Sequence, residues 1–130
     1  MTELGFGKER RLLTATDYQS VFNGASFRVS RRQILILANE NPSGKTRIGL
    51  VIAKKHVRLA VQRNRLKRLT RESFRHHQQL LNGLDIVMLA RGGLDKLDND
   101  AVTNMLEQLW QDLCKRRNHN ARHHDGKDRD

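Results

Sequence analysis

The sequence predicts an α+β fold, an α/β sandwich in which helices pack on a mixed β-sheet and the elements follow the order α-β-β-α-β-α. Three observations support this prediction. Short apolar runs rich in β-branched residues indicate strands, and longer segments repeat apolar residues with the period of a helix. A length of 130 residues suits one domain with one buried core.

The first helix is predicted at residues 15–23. Thr16 and Gln19 resemble a capping box, and an Asn-Gly pair supplies the stop. Tyr18 and Phe22 stand four residues apart and therefore share one face of this helix. Core packing is the default interpretation of two aromatic residues at that spacing, and the alternative is a surface on which unpaired bases stack.

Two apolar runs, Gln33 to Ala38 and Arg47 to Ala53, have the length and β-branching of strands. The turn-forming residues Asn41-Pro42-Ser43-Gly44 separate them, which favours an antiparallel hairpin. A further run, Asp85 to Ala90, indicates a buried strand that ends at Arg91-Gly92-Gly93. The sequence therefore predicts three strands.

A long helix is predicted from Val57 to about Leu81, since no Gly or Pro interrupts this segment. At 100° per residue, one side of it collects the residues expected to pack: Leu59, Leu66, Leu69, Ser73, Phe74, His77, Leu80 and Leu81. The opposite side collects a set that we call the cationic ridge: Asn64, Arg65, Lys67, Arg68, Arg71 and Arg75.

The last helix has the clearest signals in the chain. Asp98 or Asn99 supplies an N-cap, and the apolar positions follow the helical period: Val102, Met105, Leu106, Leu109, Trp110 and Leu113. The single cysteine, Cys114, is expected to be a buried structural thiol. Residues 118–130 are too polar to join a core, so we expect one domain at residues 1–117 and a disordered tail.

The net charge of +11 is concentrated in residues 54–75, which hold nine basic residues and one acidic residue, Glu72. A solvated helix face would normally interleave acidic residues to relieve repulsion. The concentration therefore indicates a polyanionic partner. A membrane surface is disfavoured because the apolar residues are needed for the core. With no long apolar segment and no signal-peptide core, we expect a cytoplasmic protein.

Three runs of this region carry a family resemblance: Arg47-Ile48-Gly49-Leu50-Val51-Ile52-Ala53-Lys54-Lys55, Arg63-Asn64-Arg65-Leu66-Lys67-Arg68 and Arg71-Glu72-Ser73-Phe74-Arg75. They closely resemble the bacterial ribonuclease P protein subunit, in which the Arg-Asn-Arg helix is the signature. The resemblance extends over about residues 8–117.

The resemblance implies a function. Proteins of this family bind a large catalytic RNA, and the ribonucleoprotein removes the 5′ leader of precursor tRNA by magnesium-dependent hydrolysis. The RNA performs catalysis, so the chain would be an accessory subunit with no catalytic residue, no metal site and no cofactor of its own. Its partners would be the catalytic RNA and precursor tRNA, with neither a membrane nor DNA. The family also implies a left-handed β-α-β crossover through the basic helix, against a strong general preference for the right hand.

The resemblance also assigns candidate residues. The RNA-facing helix and its approach would use Lys54, Lys55, Arg58, Arg63, Asn64, Arg65, Lys67, Arg68, Arg71 and Arg75. A cleft for the single-stranded leader would use Tyr18, Phe22, Arg31 and Arg32. Phe is commoner than Tyr in the family at the position of Tyr18.

Two other functions compete with this interpretation. A structural RNA-binding protein, such as a ribosomal protein, could carry the same basic helix but would not protect nucleotides upstream of a precursor tRNA cleavage site. A self-sufficient nuclease would need clustered carboxylates or a paired His and acid. The acidic residues within 85–112 are instead dispersed, and His56, His76 and His77 show no partner pattern.

Overall fold

The structure is a computed structural model that describes the backbone of residues 15–41 and 45–125 and the side chains of residues 18–41 and 45–119. The described residues form three α-helices and four strands. In chain order these are α1 Ala15–Gly24, β1 Phe27–Ser30, β2 Ile34–Glu40, β3 Arg47–Val51, α2 Ala60–His76, β4 Leu84–Ala90 and α3 Asn99–Asp125. The α+β fold predicted from the sequence is confirmed.

The four strands form one mixed sheet in the order β1-β2-β4-β3. β2 pairs antiparallel with both β1 and β4, whereas β3 pairs parallel with β4. The predicted hairpin between β2 and β3 is therefore wrong, because β4 lies between them. Turn residues predict that the chain reverses direction, but they carry no information about a strand inserted later. The turn residues 42–44 themselves lie outside the described residues.

The first strand, β1, was absent from the predicted element order, so the correct order is α-β-β-β-α-β-α. Its four residues alternate between buried and exposed, which is too short a pattern to identify a strand from sequence. Phe27 and Val29 join the main core, and the strand pairs with β2 along its full length. Tertiary packing thus creates a strand that local sequence does not indicate.

Helices α2 and α3 cover one face of the sheet, and α1 covers part of the other. The main core includes Ile36, Ile86, Leu66, Phe74 and Trp110, whereas a smaller cluster on the α1 side is built on Val21, Leu37 and Val87. Strand β3 is followed by α2 and then by β4. Because β3 and β4 are adjacent and parallel, α2 forms the crossover connection between them. Its left-handedness, which the family resemblance implies, stays a prediction.

The boundaries of α2 differ from the predicted helix at residues 57–81. Leu59 has an extended backbone, with φ −89° and ψ 131°, and the helix begins at Ala60. The prediction that Leu59 packs inward is wrong, since it is 62% exposed. The apolar period includes Leu59 in the helix, although this residue precedes the first helical residue, and the period therefore places its side chain on the wrong side. Leu81 is buried, but it lies in the turns that follow α2, and Leu80 only packs against the edge of the core.

The packed side of α2 is fixed by contacts with α3. Ser73 accepts a hydrogen bond of 2.8 Å from the indole Nε1 of Trp110, and Phe74 meets the same ring edge-on at a centroid distance of 6.4 Å. Both aromatic residues are fully buried. The predicted placement of Ser73 and Phe74 on the packed side is confirmed, and it turns the opposite side of α2 outward.

The predicted start of α3 is also confirmed, because Asp98 Oδ1 accepts a hydrogen bond of 2.8 Å from the backbone N–H of Ala101. At its other end α3 continues past Arg117 to Asp125, into the segment predicted to be a tail, and residues 126–130 lie outside the described residues. Cys114 is partly exposed rather than buried. Helix α1 already includes Thr16, whose predicted capping side chain is outside the described set.

Candidate RNA interface

The outward side of α2 carries the cationic ridge. Leu66, Ser73 and Phe74 are buried beneath the helix, so Asn64, Arg68 and Arg71 are exposed on its far side. None of the described residues supplies Arg68 with a hydrogen bond or an ion pair. The remaining ridge residues, Arg65, Lys67 and Arg75, are partly exposed. The ridge is therefore a solvent-facing cationic surface.

Two arginines of the Arg-Asn-Arg run are held by the protein itself. Arg63 donates from Nη1 to the carbonyl oxygens of Val57 and Arg58, each at 3.0 Å. This fastens the segment before α2 to the first turn of the helix. The side chain of Arg63 is consequently oriented toward its own backbone, while Asn64 between the two arginines is exposed.

Arg65 joins α2 to the approach of α3. Its guanidinium donates to Asn99 Oδ1 at 2.7 Å, to the carbonyl of Leu97 at 3.0 Å and to the carbonyl of Asp95 at 3.3 Å. Its Nε also donates to Gln62 Oε1 at 2.8 Å. This set of contacts braces the N-terminal half of the ridge against the body of the protein.

Because Arg65 contacts the body of the protein, we expect its substitution to change the stability of the fold more than the salt dependence of RNA binding. Arg65→Ala should lower the free energy of unfolding by about 1 kcal/mol, because hydrogen bonds of a charged donor to partly buried carbonyls are lost. Denaturant unfolding measures this, and Arg65→Lys should also fail to restore it, since an ammonium lacks the planar fork. An unchanged midpoint with a smaller salt dependence of RNA binding would instead place Arg65 against a phosphate.

The segment between β3 and α2 supplies more cations. Lys54, Lys55 and Arg58 are exposed there, and we call them the entrance residues. The backbone N–H groups of His56 and Val57 donate to the carbonyl of Ala53, which closes a tight turn. The entrance residues therefore lie on an ordered turn that leads directly into the ridge.

A carboxylate moderates the other end of the ridge. Glu72 accepts hydrogen bonds from Arg75 and His76 of the same helix. The hydrogen bond from Arg75 is the largest cause that lowers the pKa of Glu72 below its ordinary value. Glu72 thus stays ionised and offsets charge near Arg75. It also gives His76 an acidic partner that the sequence pattern did not indicate.

Tyr18 and Phe22 lie together on α1, on the face of the sheet away from α2 and α3. The ring of Tyr18 lies over Gly49 of β3, where an added Cβ would come within 2.6 Å of the tyrosine Cε1. Tyr18 packs against the smaller cluster, whereas Phe22 is 43% exposed. The core interpretation therefore suits Tyr18 in part, and Phe22 offers a ring to solvent.

The arginines assigned to the same cleft lie elsewhere around the sheet. Arg31 forms a 2.8 Å salt bridge with Asp112 of α3, so its guanidinium is directed to the helix on the opposite face from Tyr18. Arg32 is exposed in the turn between β1 and β2. The structure brings Tyr18 and Phe22 together but does not bring Arg31 to them.

Strand alternation places further exposed residues on the side of the sheet that carries α1, which the sequence did not indicate. Phe27 and Val29 point into the main core, so Arg28 between them is exposed at the sheet edge with its Cβ toward the α1 side. Arg28 also lines a hollow at this edge with Arg31 and Asp112. Next to α1, a row of partly exposed apolar residues crosses the sheet from β2 through β4 to β3, formed by Leu35, Leu89 and Val51. Arg28 could have been identified from the Phe-Arg-Val-Ser alternation, had β1 been predicted.

The apolar row and the entrance residues are close in the chain. Val51 ends β3, and Lys54 follows three residues later, a span of at most about 11 Å. A strand of nucleic acid could therefore have bases on the apolar floor and phosphates at the entrance residues. Within the described residues no helix is long and apolar enough to cross a membrane, and no three His, Cys, Asp or Glu side chains group as metal ligands.

Comparison with known proteins identifies the family. The family model for ribonuclease P matches residues 6–114. The ribonuclease P protein component of Pseudomonas paraeruginosa is 49% identical over 90% of this chain and 87% of its own length. That of Marinobacter nauticus is 51% identical over 89% and 87%.

Solved structures agree with the sequence comparison. A Staphylococcus aureus RNase P protein mutant, described as defective in mRNA degradation activity, superposes with a TM-score of 0.74 and 28% identity over 80% of this chain and 87% of its own. The RNase P protein of Thermotoga maritima superposes with a TM-score of 0.67 and 28% identity over 78% and 96%. The chain belongs to the ribonuclease P protein family.

Proposed function

We propose that this chain is the protein subunit of a bacterial ribonuclease P, in which it binds the catalytic RNA through the cationic ridge and the entrance residues. The ribonucleoprotein removes the 5′ leader from precursor tRNA. The observation that carries this proposal is the outward ridge of α2, held by the buried side chains of Leu66, Ser73 and Phe74 in a member of this family.

The physical basis of binding is phosphate recognition. Each cation placed against a phosphate releases a condensed counterion, and exposed arginines add directed hydrogen bonds to phosphate oxygens. Arg68 and Arg71 lie three residues apart on the same side of α2, a spacing that allows both to reach one RNA strand. Arg63 and Arg65 stabilise this surface indirectly. Arg63 holds the segment before α2 to the helix, and Arg65 holds α2 to the start of α3.

We assign the 5′ leader of precursor tRNA to the face of the sheet beside α1. Phe22 supplies an exposed ring for base stacking, and the row of Leu35, Leu89 and Val51 supplies an apolar floor. Arg28 takes the cationic role at this cleft that sequence resemblance gave to Arg31. Arg32, exposed in the neighbouring turn, stays a candidate for the distal part of the leader.

Chemistry belongs to the RNA in this proposal. The holoenzyme requires Mg²⁺ bound by RNA, and we assign no metal ligand or catalytic residue to the chain. The protein contributes affinity for the leader and screens repulsion within the folded RNA, which lowers the magnesium concentration that the RNA needs. We place the complex in the cytoplasm.

Reconstitution tests the function. The full chain is combined with a bacterial ribonuclease P RNA transcript at low magnesium, and cleavage of precursor tRNA is measured with and without protein. The expected result is a large gain in leader removal that depends on the RNA. Equal cleavage with and without the chain would contradict the proposal, and cleavage by the protein free of RNA would identify a self-sufficient nuclease.

A further inference from the structure

Two large apolar side chains at the start of α2 are mostly exposed to solvent. Leu59 is 62% exposed and Val61 is 68% exposed. The third large apolar residue that the described part of the chain exposes is Phe22, which belongs to the cleft beside α1. Leu59 and Val61 are therefore an apolar patch that neither the core nor the leader cleft explains.

The patch is held in place rather than loosely attached. Val57, two residues before Leu59, is fully buried, and the side chain of Arg63 donates to the carbonyls of Val57 and Arg58. The backbone N–H of Arg63 also donates to the carbonyl of Leu59. Because the segment is anchored on both sides of Leu59, the fold itself holds this side chain in an exposed position.

Leu59 also lowers the stability of its own helix. It occupies the N-cap position of α2 and makes no side-chain capping hydrogen bond. Ser, Thr, Asp and Asn are preferred there because their oxygen accepts from the first free N–H groups. The extended backbone of Leu59 suits such a residue without rearrangement. A leucine at this position is unfavourable for folding and therefore points to a contact outside the chain.

The surroundings of the patch identify the class of partner. Lys54, Lys55 and Arg58 are exposed close by in the chain, and Arg68 lies farther along the same helix. A partner that pairs phosphates with flat apolar surfaces matches this mixture, and an unpaired nucleotide has both. A membrane surface would require a much wider apolar face than two side chains. The patch is also continuous with the ridge that we assign to RNA.

We propose that Leu59 and Val61 contact the base or ribose of an unpaired nucleotide in the catalytic RNA, while the entrance residues hold the neighbouring phosphates. This inference rests on the proposed function and adds to it a contact that is not electrostatic. Apolar contact releases no counterion, so it does not add to the slope of log affinity against log salt that phosphate contacts produce. The patch thus distinguishes an RNA that presents an unpaired nucleotide at this position from a plain duplex.

The test uses opposite effects on stability and binding. Leu59→Ser should raise the melting temperature by about 4 °C, because serine caps α2. The same variant should weaken binding of a bacterial ribonuclease P RNA transcript about five- to ten-fold, because apolar contact is lost. The slope of log affinity against log salt should stay at its wild-type value. Val61→Thr keeps the side-chain shape and should weaken binding about two- to three-fold.

Gln108→Ser, on the exposed side of α3, is the control for a polar surface substitution and should change neither property. Unchanged affinity in both Leu59→Ser and Val61→Thr would overturn the inference, as would a loss of affinity that appears only through a smaller salt slope. Loss of self-association or of binding to phosphatidylserine vesicles, with RNA affinity intact, would assign the patch to another partner and overturn it too. Failure of the wild-type chain to bind the transcript would instead refute the proposed function.

Discussion

The double variant Arg68→Ala/Arg71→Ala is expected to bind ribonuclease P RNA about a hundred-fold more weakly at roughly 0.15 M salt. Both residues are exposed on the outward side of α2, and each charge-assisted contact with phosphate is worth about 1.5 kcal/mol. Loss of two phosphate contacts should lower the salt slope by about 1.8 units in a duplex region and by about 1.4 in a single strand. Filter binding over a range of salt concentrations measures both quantities.

A control variant must distinguish the effect of the protein's net charge on RNA binding from the effect of where the charges lie. Lys96→Ala/Lys115→Ala removes the same number of charges from exposed positions outside α2. This control should lower affinity only slightly, through the weaker overall field of the protein, and should leave the salt slope close to wild type. An equal loss in both double variants would mean that RNA responds to net charge and has no preference for the ridge.

Phe22→Ala is expected to weaken binding of precursor tRNA by about 1–3 kcal/mol, which corresponds to stacking of one base on an aromatic ring. The ring is partly exposed on α1, and its removal leaves the core cluster around Val21 in place. Binding of mature tRNA, which lacks the leader, should be unchanged. Titration of the reconstituted holoenzyme with both substrates measures the difference.

Asn23→Ala is a suitable control for the leader prediction, because Asn23 is exposed next to Phe22 and has no ring. It should bind precursor and mature tRNA as the wild type does. An equal loss for the two substrates in Phe22→Ala would show damage to the fold. Wild-type affinity for precursor tRNA would place the leader away from α1.

Local sequence predicted the helices better than the sheet. The period of α3 and its cap at Asp98 are encoded within neighbouring residues, and the structure confirms both. Pairing of β3 with β4 depends on a crossover through α2 and on contacts such as the bidentate ion pair between Arg47 and Asp85. Those partners lie far apart in the chain, so turn signals near residue 42 could not indicate them.

In the candidate site too, features set by neighbouring residues could be predicted, whereas contacts between distant residues could not. The ridge could be predicted because Leu66, Ser73 and Phe74 set the rotation of α2, which places Arg68 and Arg71 on the outward side. The inward orientation of the Arg65 side chain could not be predicted, because it depends on backbone carbonyls of the distant segment that precedes α3. Leu59 was placed on the packed side because a period does not reveal where a helix begins.

Short-range photocrosslinking identifies which side of the protein lies against RNA. Single cysteines are introduced by Asn64→Cys on the ridge and, separately, by Gln108→Cys on the exposed side of α3, each in a Cys114→Ser background, and a short aryl azide is attached. We expect discrete crosslinks to ribonuclease P RNA from position 64 and few from position 108. Crosslinks predominantly from position 108 would contradict the claim that α2 presents its cationic side to RNA.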